Sequence, residues 1–476
     1  MNPRFANIVR LLAVAAFAAG ACGARAAADA PAPGGVLALQ AEFPERKFPE
    51  LQEILRQGLV NGPSVLISQW NAAAAAQDAR GYGGRADLLP RVGGWANYGQ
   101  TYEQHQGDGA QNRSMTVFLY DLNISQAVYQ WNILTNNYQI KQLYQAMSER
   151  NVSEARRILA INIRRRYLDI ILASNALKLA RENLGRLERT YKETEQQIKD
   201  GSLAPAALAG PDIAIQNTKP AIMQLENQLA DVKRSLVLLT GLPESTIDNI
   251  PAEIPALPKE QLRDAVYALS GGDGAGAGAN GAGNPPPSIA LQNLADGARI
   301  AKLNFENTKK ILYPKFGVSL DVNTQQRTAN YTNEGARYVY TVWGAYASMS
   351  WTLFDGLGAQ SAKRAAMERL KSAEAGLSQA GRQESADRRK EAADLRVQWE
   401  QLQNTERDLA LAASSRDITE QDFQNGIVSA RQVDDARAGY DAALQNTYAV
   451  RANFYIALVT CLSNRGQDPA ILAAQQ

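Results

Sequence analysis

Residues 402–426 read LQNTERDLALAASSRDITEQDFQNG, and residues 177–201 read LKLARENLGRLERTYKETEQQIKDG. Leu, Leu, Glu, Gln and the final Gly occupy the same places in both stretches, 225 positions apart. The same separation joins Tyr129 to Phe354 and Gly241 to Gly466, with no insertion between them. A constant separation over such a length indicates an internal repeat, so we interpret the chain as one architectural unit that occurs twice.

Each copy of the repeat contains a helical pattern that is too long for a compact domain. From Tyr129 to Gly201, as from Phe354 to Gly426, a continuous helix would span roughly 100 Å. Apolar and small residues recur there at steps of three and four, which is the spacing of a coiled-coil seam. In the first copy these residues are Leu177, Ala180, Leu184, Leu187, Tyr191, Thr194 and Ile198.

Glycines occur within the long helical arms, and the outgoing and return arms differ in length. Gly185, Gly376 and Gly381 weaken helical continuity, which favours two stacked helices in each long arm. The return arms, 213–240 and 433–462, are about half as long as the outgoing arms. The segments at 48–77 and 287–311 therefore have to supply the missing halves.

Two β-hairpins precede the long arms, at 90–128 and 314–354. Apolar residues alternate with small or polar ones, as in the run FGVSLDVN at 316–323, and polar loops at 106–113 and 325–337 separate the strands. Long strands with one apolar face are typical of transmembrane barrels, although a soluble sandwich alternates in the same way. Four strands cannot close a barrel alone, so a barrel requires several copies of the chain.

The first residues have the pattern of an export signal. Arg4 and Arg10 precede an apolar run at 11–19, and small residues follow, which predicts a secretory signal over 1–28 and a linker over 29–47. The residues before Cys22 are also similar to a lipoprotein processing box, in which this cysteine is lipidated. No later apolar run is long enough to predict a membrane-spanning helix.

The composition argues against most kinds of chemistry. The net charge of +2 predicts no nucleic-acid partner, and Cys22 and Cys461 are too few for a disulfide framework. A single histidine, His105, gives no basis for a histidine-rich metal site or a Ser-His-Asp triad. We therefore predict no catalytic residue, no cofactor and no metal ligand.

A segment rich in Gly and Ala, 270–287, separates the two repeats. Its run GGDGAGAG has no preceding strand and no Lys-Ser/Thr ending, which favours a surface insertion over a phosphate-binding loop. On its two sides we predict a first repeat at 48–269, with a helical hairpin at 129–241, and a second at 288–466, with a helical hairpin at 355–466. Residues 467–476 form a tail.

The order helix, hairpin, long helix, turn and helix occurs twice, and Phe354-Asp355-Gly356 closes the second hairpin. This arrangement resembles the TolC family of bacterial outer-membrane efflux ducts, from about residue 48 to residue 466. The resemblance implies a mainly α protein with transmembrane β structure, a trimeric α/β barrel. Four strands per protomer then build a twelve-stranded barrel in the Gram-negative outer membrane, and the helices build a coiled-coil periplasmic tunnel.

The resemblance also implies the function and the partners. It indicates a passive conduit for small molecules or polypeptides, in a tripartite efflux or type I secretion system driven by an inner-membrane transporter. The implied partners are two further copies of the chain, outer-membrane lipid, a periplasmic adaptor protein and that transporter. Two other functions stay open on the sequence alone: a periplasmic coiled-coil scaffold, and an exported carbohydrate-active enzyme with paired carboxylates.

The resemblance places the periplasmic entrance near the second helical turn. Asp435 lies where the family has its innermost ring of acidic residues, and Gln432 lies where it has a second ring Asp. Phe423 and Val428 replace a Tyr and an Arg of the family's polar clasp, and Ala207 replaces the Asp that bonds to them. An exposed carboxylate near a helix start has the same pattern without any role in a pore.

The two helical turns carry apolar residues beside their glycines. Leu203 follows Gly201, and Ile427 follows Gly426. In the TolC family such tips contact the adaptor, so the resemblance implies that these four residues form docking tips for a partner's helical hairpin. An ordinary interhelical turn has a similar composition.

Overall fold

Helices and strands follow each other in the same order twice along the chain. The computed structural model describes residues 43–103, 113–247, 250–270, 286–329 and 336–473. The elements are α1 (Pro44–Lys47), α2 (Pro49–Asn61), α3 (Pro63–Arg80), β1 (Arg91–Glu103), β2 (Arg113–Tyr129), α4 (Ile133–Lys199), α5 (Ala209–Thr240), α6 (Lys259–Ser270), α7 (Ile289–Thr308), β3 (Lys315–Ala329), β4 (Ala336–Ser350), α8 (Gly358–Gln424), α9 (Ala430–Asn464) and α10 (Pro469–Ala473).

Several predicted features lie outside the described residues. They are the signal at 1–28 with Cys22, most of the linker at 29–47, nearly all of the Gly-rich segment, His105 and the last three residues of the tail. Within the described ranges, no helix combines the length and the apolar character needed to cross a membrane.

The four strands form one antiparallel sheet in the order β1-β2-β3-β4. β2 and β3 belong to different halves of the chain, and their pairing, with Ile124 opposite Leu320, joins the two hairpins. β1 and β4 each pair on one side only, so the sheet has two open edges. Open edges leave backbone donors and acceptors available for another strand.

The two faces of the sheet differ in polarity, as the alternation predicts. The register brings apolar side chains of all four strands to one face. Its large, exposed members are Val92, Tyr98, Phe118, Leu122, Val318, Leu320, Trp343 and Met349. The opposite face carries Asp121, Asn123, Asp321 and Asn323, together with aromatic residues such as Trp95, which lies opposite Asp121, and Tyr346, which lies opposite Ser319.

The two strands of the second hairpin extend further toward their connecting loop than the sequence predicts. The loop predicted at 325–337 is wrong at both ends, because β3 continues to Ala329 and β4 begins at Ala336. Polar residues remain in the ladder there because cross-strand bonds satisfy them: Gln325 lies opposite Tyr340, whose hydroxyl donates to the Gln325 amide oxygen at 3.1 Å. At the other end β4 stops at Ser350, so Trp351 and Leu353 follow the strand.

The long helices α4 and α8 each contain 67 residues and are continuous. The predicted division into stacked helices at Gly185, Gly376 and Gly381 is therefore wrong. A glycine inside a helix costs only about 0.5–1 kcal/mol, which packing along the rest of a long helix outweighs. The return helix α5 likewise continues through Pro220.

Two residues with left-handed backbone connect each hairpin to its long helix. They are Trp131 and Asn132 in the first repeat, with φ of 54° and 65°, and Gly356 and Leu357 in the second, with φ of 68° and 69°. Both pairs obey the separation of 225. Asn and Gly adopt this conformation readily, whereas Trp and Leu are strained in it. The fold therefore imposes the same connection on both repeats, whichever residues occupy it.

The main hydrophobic core lies along the middle of the long helices. There α4 and α8 meet α2, α6 and α9, and the buried Trp399 of α8 packs against Phe454 of α9 with ring centroids 5.5 Å apart. Phe48, beside α2, packs against Tyr167 of α4 at 5.4 Å. The core thus joins both repeats at a level between the sheet and the helical turns.

A buried charge cluster ties α4 to segments near both ends of the described chain. Arg164 is fully buried, and its guanidinium donates to Glu45 at 2.5 and 3.1 Å and to Asp468 at 2.6 and 2.9 Å. The Ser463 hydroxyl also donates to Asp468, at 2.6 Å. Burial opposes the charge on Asp468, but the bonds from Arg164 outweigh it and hold the pKa of this carboxyl below its usual 3.8.

Candidate functional site

The two helical hairpins end in turns of the same geometry. Gly201 and Gly426 have left-handed backbone, with φ of 75° and 74°. In each turn the amide that follows the glycine donates to the carbonyl five residues earlier, at 2.9 Å in the first turn and 2.8 Å in the second. No atom lies within 4 Å of a Cβ added at either glycine, so the backbone conformation, rather than lack of space, favours glycine here.

Apolar side chains project from both tips. Leu203, Phe423 and Ile427 are 41%, 47% and 71% exposed, and Val428 is half-buried. Ala207, in the short 3₁₀ turn before α5, is exposed. The helices that carry these tips start directly after the sheet, so a straight 67-residue helix places the tips roughly 100 Å away from it.

Gln432 is part of the cap that starts α9. Its side-chain oxygen accepts the backbone amide of Ser429 at 2.8 Å and the Ser429 hydroxyl at 3.1 Å. This is one half of a capping box, in which the residue at the third helical position bonds back to the residue before the helix. The Gln432 side chain, predicted to line the entrance, is thus engaged in holding the helix start.

Asp435 is exposed on the first turns of α9, and no hydrogen bond or ion pair engages its carboxylate within the described parts of the chain. Two residues further on, Arg437 bonds across the tip to Glu420 of α8 at 2.8 Å. One turn of helix away from the tip, the Arg416 guanidinium lies 4.2 Å from the ring centre of Tyr440. These contacts tie α8 to α9 and leave the Asp435 charge facing solvent.

One ion pair between the two hairpins could not be predicted from the sequence. Arg186 of α4 forms an ion pair with Asp441 of α9 at 2.8 Å, and both side chains are mostly buried. The two residues are 255 positions apart, so no local pattern in the sequence indicates their proximity. The one signal in the sequence is a local break in the repeat: Arg186 and Asp441 both differ from their counterparts at the separation of 225.

The polar face of the sheet contains a bonded acidic residue. Asp321 accepts hydrogen bonds from the Asn123 side chain and from the Ser319 hydroxyl, the latter at 3.1 Å. The structure gives no partner to Asp121 on the neighbouring strand among the described residues. Carboxylate oxygens therefore line this face of the sheet, opposite the apolar face.

The described residues contain no group of three or more His, Cys, Asp and Glu side chains that could hold a metal ion. Cys461 is a buried free cysteine, and burial raises the pKa of its thiol. A buried thiol with a raised pKa is a poor nucleophile. The predicted lipidation of Cys22 stays a prediction, since that residue is outside the described ranges.

The sequence model of the family described as outer membrane efflux protein matches residues 54–242 and 291–462, more than half of the chain. The chain belongs to the outer membrane efflux protein family. The two matched segments lie on either side of the Gly-rich segment, and family membership confirms the predicted location in the outer membrane.

Two curated proteins are similar to parts of this chain. The cation efflux system protein CusC of Escherichia coli O6:H1 is 24% identical over 237 residues, which are 46% of this chain and 50% of CusC. The probable outer membrane lipoprotein SilC of Salmonella typhimurium is 34% identical over 104 residues, 21% of this chain and 22% of SilC. The chain thus spans half or less of the length of the curated relatives it matches.

The fold is shared with a solved outer-membrane channel. The crystal structure of the outer membrane channel CmeC of Campylobacter jejuni superposes with a TM-score of 0.70, over 88% of this chain and 86% of that one, at 12% identity. The predicted fold class, mainly α with a transmembrane β part and a long helical tunnel part, is confirmed for this member of the outer membrane efflux protein family.

Proposed function

We propose that the protein is a passive exit duct in the outer membrane, through which an inner-membrane transporter expels its cargo. The observation that carries the proposal is the two-faced sheet with open edges, joined to two helical hairpins whose long helices each contain 67 residues. Family membership favours a conduit over an enzyme. The periplasmic scaffold is disfavoured, because it would expose the apolar sheet face to water.

The two faces of the sheet suit a wall between lipid and water. The apolar face, with Leu122, Val318 and Leu320, fits the acyl chains of the membrane, and the face with Asp121 and Asp321 fits an aqueous lumen. The open edges of β1 and β4 cannot remain unpaired in lipid. Pairing of β4 with β1 of another copy removes both edges, and three copies supply twelve strands, enough for a closed barrel.

The repeat indicates where the neighbouring copy lies along the helices. In the second repeat α7 packs against both α8 and α4. Its counterpart in the first repeat, α3, packs against α4, and its Ile67 and Trp70 are 61% and 73% exposed. Because the repeats are built alike, the missing neighbour of α3 is an α8, and this α8 has to come from another copy. A ring of such heterologous contacts closes the tunnel.

The tips then form the entrance of this tunnel. In a ring of three copies, three exposed Asp435 carboxylates face one passage and attract cations. Phe423 and Ile427 close the passage by apolar packing, since Val428 and Ala207 provide no polar clasp. A periplasmic adaptor, which links the duct to the transporter, docks at the two tips. One tip carries Gly201 and Leu203, and the other carries Gly426 and Ile427. The similarity to CusC, a cation efflux system protein, supports efflux rather than secretion of polypeptides.

Native mass spectrometry in mild detergent tests the assembly on which the duct depends. We expect a trimer that stays with the outer membrane through high salt and carbonate, and that forms conducting pores in planar bilayers. A stable monomer with folded strands would contradict the proposal, because the backbone N–H and C=O groups at its two sheet edges would have no hydrogen-bond partners in lipid.

A further inference from the structure

The polar face of the sheet exposes aromatic side chains as well as carboxylates. Trp95 of β1 and Tyr346 of β4 both belong to this face, and each is 54% exposed. No hydrogen bond engages the indole N–H of Trp95 within the described parts of the chain. A large ring left in contact with water forgoes the free energy of its burial, so both rings are available to a ligand.

Trp95 lies beside a carboxylate that has no partner. It is directly opposite Asp121 of β2 in the antiparallel register, and the Cβ atoms of such pairs are about 4.5–5.5 Å apart. No hydrogen bond or ion pair engages the Asp121 carboxylate among the described residues. The indole ring and this carboxylate therefore form one continuous surface.

The second hairpin places a phenol ring beside a carboxylate in another way. The Tyr346 side chain lies over Gly344, where an added Cβ would be 2.5 Å from the tyrosine oxygen and 2.7 and 2.8 Å from two ring carbons. Gly344 lies opposite Asp321 on β3, so the hydroxyl end of the ring is next to the position of Asp321. The donors to Asp321 are Asn123 and Ser319, which are neutral and leave its negative charge in place.

The two carboxylates are neighbours at the centre of the sheet. Asp121 lies opposite Asn323, two positions from Asp321, and diagonal neighbours of this kind are about 7–8 Å apart. An aromatic ring thus stands on each side of two negative charges. We call the four residues that make up this arrangement, Trp95, Asp121, Asp321 and Tyr346, the aromatic-carboxylate group.

The middle of the sheet contains no basic residue. In β1, β2 and β4, Lys and Arg occur only at or next to a strand end. In β3 the basic residues are Lys315 and Arg327, each six positions from Asp321, roughly 20 Å along the strand. The charges of the aromatic-carboxylate group are therefore not compensated within the sheet.

We propose that the aromatic-carboxylate group binds organic cations, in particular quaternary ammonium ions, inside the lumen. A weakly hydrated cation is attracted by the faces of Trp and Tyr and by the carboxylates at the same time. A small metal ion keeps its water, and the described residues contain no set of three or more His, Cys, Asp and Glu side chains that could replace it. The inference rests on the proposed function, in which this face of the sheet surrounds an aqueous lumen and three copies supply three such groups.

Fluorine NMR of protein labelled with 5-fluorotryptophan tests the binding. The full chain, purified in mild detergent, contains six tryptophans, and Trp95→Phe identifies the Trp95 resonance. Benzyltrimethylammonium chloride should shift this resonance with saturation, and potassium chloride at the same ionic strength should not. Trp343 is the matched control, because it is 74% exposed on the apolar face; its resonance, identified with Trp343→Phe, should not move.

Asp121→Asn isolates the contribution of the carboxylate. The change removes a charge without breaking a hydrogen bond among the described residues, and it should raise the half-saturating concentration of benzyltrimethylammonium roughly two- to fivefold. Asp417→Asn, which removes an exposed carboxylate from α8, should leave that concentration unchanged. The same half-saturation in the Asp121 variant and the parent protein, or an equal shift of the Trp343 resonance, overturns the proposal.

Reversal potentials in planar bilayers test the consequence for transport. With benzyltrimethylammonium chloride on one side and potassium chloride on the other, they give the relative permeability of the two cations. Trp95→Leu with Tyr346→Leu should lower the share of the organic cation roughly two- to fivefold, and Trp343→Leu should not change it. A conducting duct whose permeability ratio is the same in the double variant overturns this inference alone. A parent protein that conducts no ions overturns the duct, and this inference with it.

Discussion

Leu357 has the same left-handed backbone as Asn132, its counterpart in the first repeat, although leucine rarely adopts this conformation. The leucine side chain is 60% exposed in the described chain, so replacing it removes little packing. Strain of this kind costs on the order of 1–3 kcal/mol.

We therefore expect Leu357→Asn to stabilise each protomer by about 1 kcal/mol. The shift is measured as a higher temperature for heat-modified migration on gels. The reciprocal variant, Asn132→Leu, is the matched control and should lower that temperature. Stabilisation by both variants would mean that the backbone at these places carries no strain.

Asp435 is a charged residue without a partner among the described side chains, and this makes it testable by itself. Asp435→Asn should reduce the preference of the pore for cations and weaken block by trivalent cations, because the proposed ring of three copies loses three charges from one narrow passage. Ion selectivity in planar bilayers measures the effect. Asp200→Asn is the control, since Asp200 lies beside the first turn and already accepts a hydrogen bond from Gln196 at 3.0 Å. Equal shifts in both variants would place Asp435 outside the passage.

At this scale the sequence predicted positions better than roles. Gly201 and Gly426 could be predicted as turns, because a left-handed conformation favours glycine wherever it occurs. The cap formed by Gln432 follows a short-range pattern, Ser429 with Gln432 three positions later. It was not predicted, because the family resemblance assigned Gln432 to a ring of acidic residues at the entrance. Arg186 and Asp441 could not be paired from the sequence, because only the packing of α4 against α9 brings them together.

At the scale of elements, the sheet provides the sharpest contrast between neighbouring residues. Leu320 lies on the apolar face and is half exposed, whereas Asp321 lies on the opposite face with its bonds to Asn123 and Ser319. Leu320→Arg should impair assembly in the membrane, since an arginine on the lipid side costs about 2–4 kcal/mol near the midplane. Asp321→Arg should assemble and alter ion selectivity. Heat-modifiability gels distinguish the two, and the same defect in both variants would show that the faces are assigned wrongly.

The elements also show which sequence signals are strong. Alternation of polarity predicted the strands because each strand has one apolar face, but it failed at the loop end, where the polar Gln325 stays in the ladder through its bond to Tyr340. Helix-weakening glycines suggested breaks in α4 and α8 that do not exist. A glycine changes stability locally, whereas a seam of several turns decides whether a helix continues.

At the scale of the whole molecule, the internal repeat was the sequence feature from which the architecture could be predicted. Its constant separation fixed the equal lengths of α4 and α8, and it also shows where the symmetry is broken. The contacts of the buried core could not be predicted in the same way. Arg164 and Asp468 are 304 positions apart and have no counterpart pair in the other repeat, where Pro243 replaces the acid.

This buried cluster predicts a pH dependence for the stability of the whole chain. The folded pKa of Asp468 lies below 3.8, so the ionised carboxylate stabilises the fold fully above the unfolded pKa. This stabilisation is lost as the pH falls through the folded pKa, in the acidic range below about pH 4. Thermal unfolding at a series of pH values should show the loss in the parent protein.

Asp468→Asn should remove that part of the pH profile and destabilise the protein by about 3 kcal/mol, because it breaks a buried ion pair. Asp417→Asn is the control: Asp417 is 60% exposed beside Arg416, and a surface pair contributes at most about 1 kcal/mol. An acid profile that is the same in the Asp468 variant and the parent would mean that another group governs the acid sensitivity.

The distance along the chain between the members of this cluster also bears on biosynthesis. A chain is made and delivered from its first residue to its last, so Arg164 becomes available with Glu45 long before Asp468 arrives. Until then the guanidinium lacks one of its two carboxylates, and α4 cannot bury it with full compensation. We therefore expect the middle of the molecule to stay accessible to chaperones and proteases until the chain is fully delivered. We therefore expect burial of Arg164 to be complete only once Asp468 has been delivered.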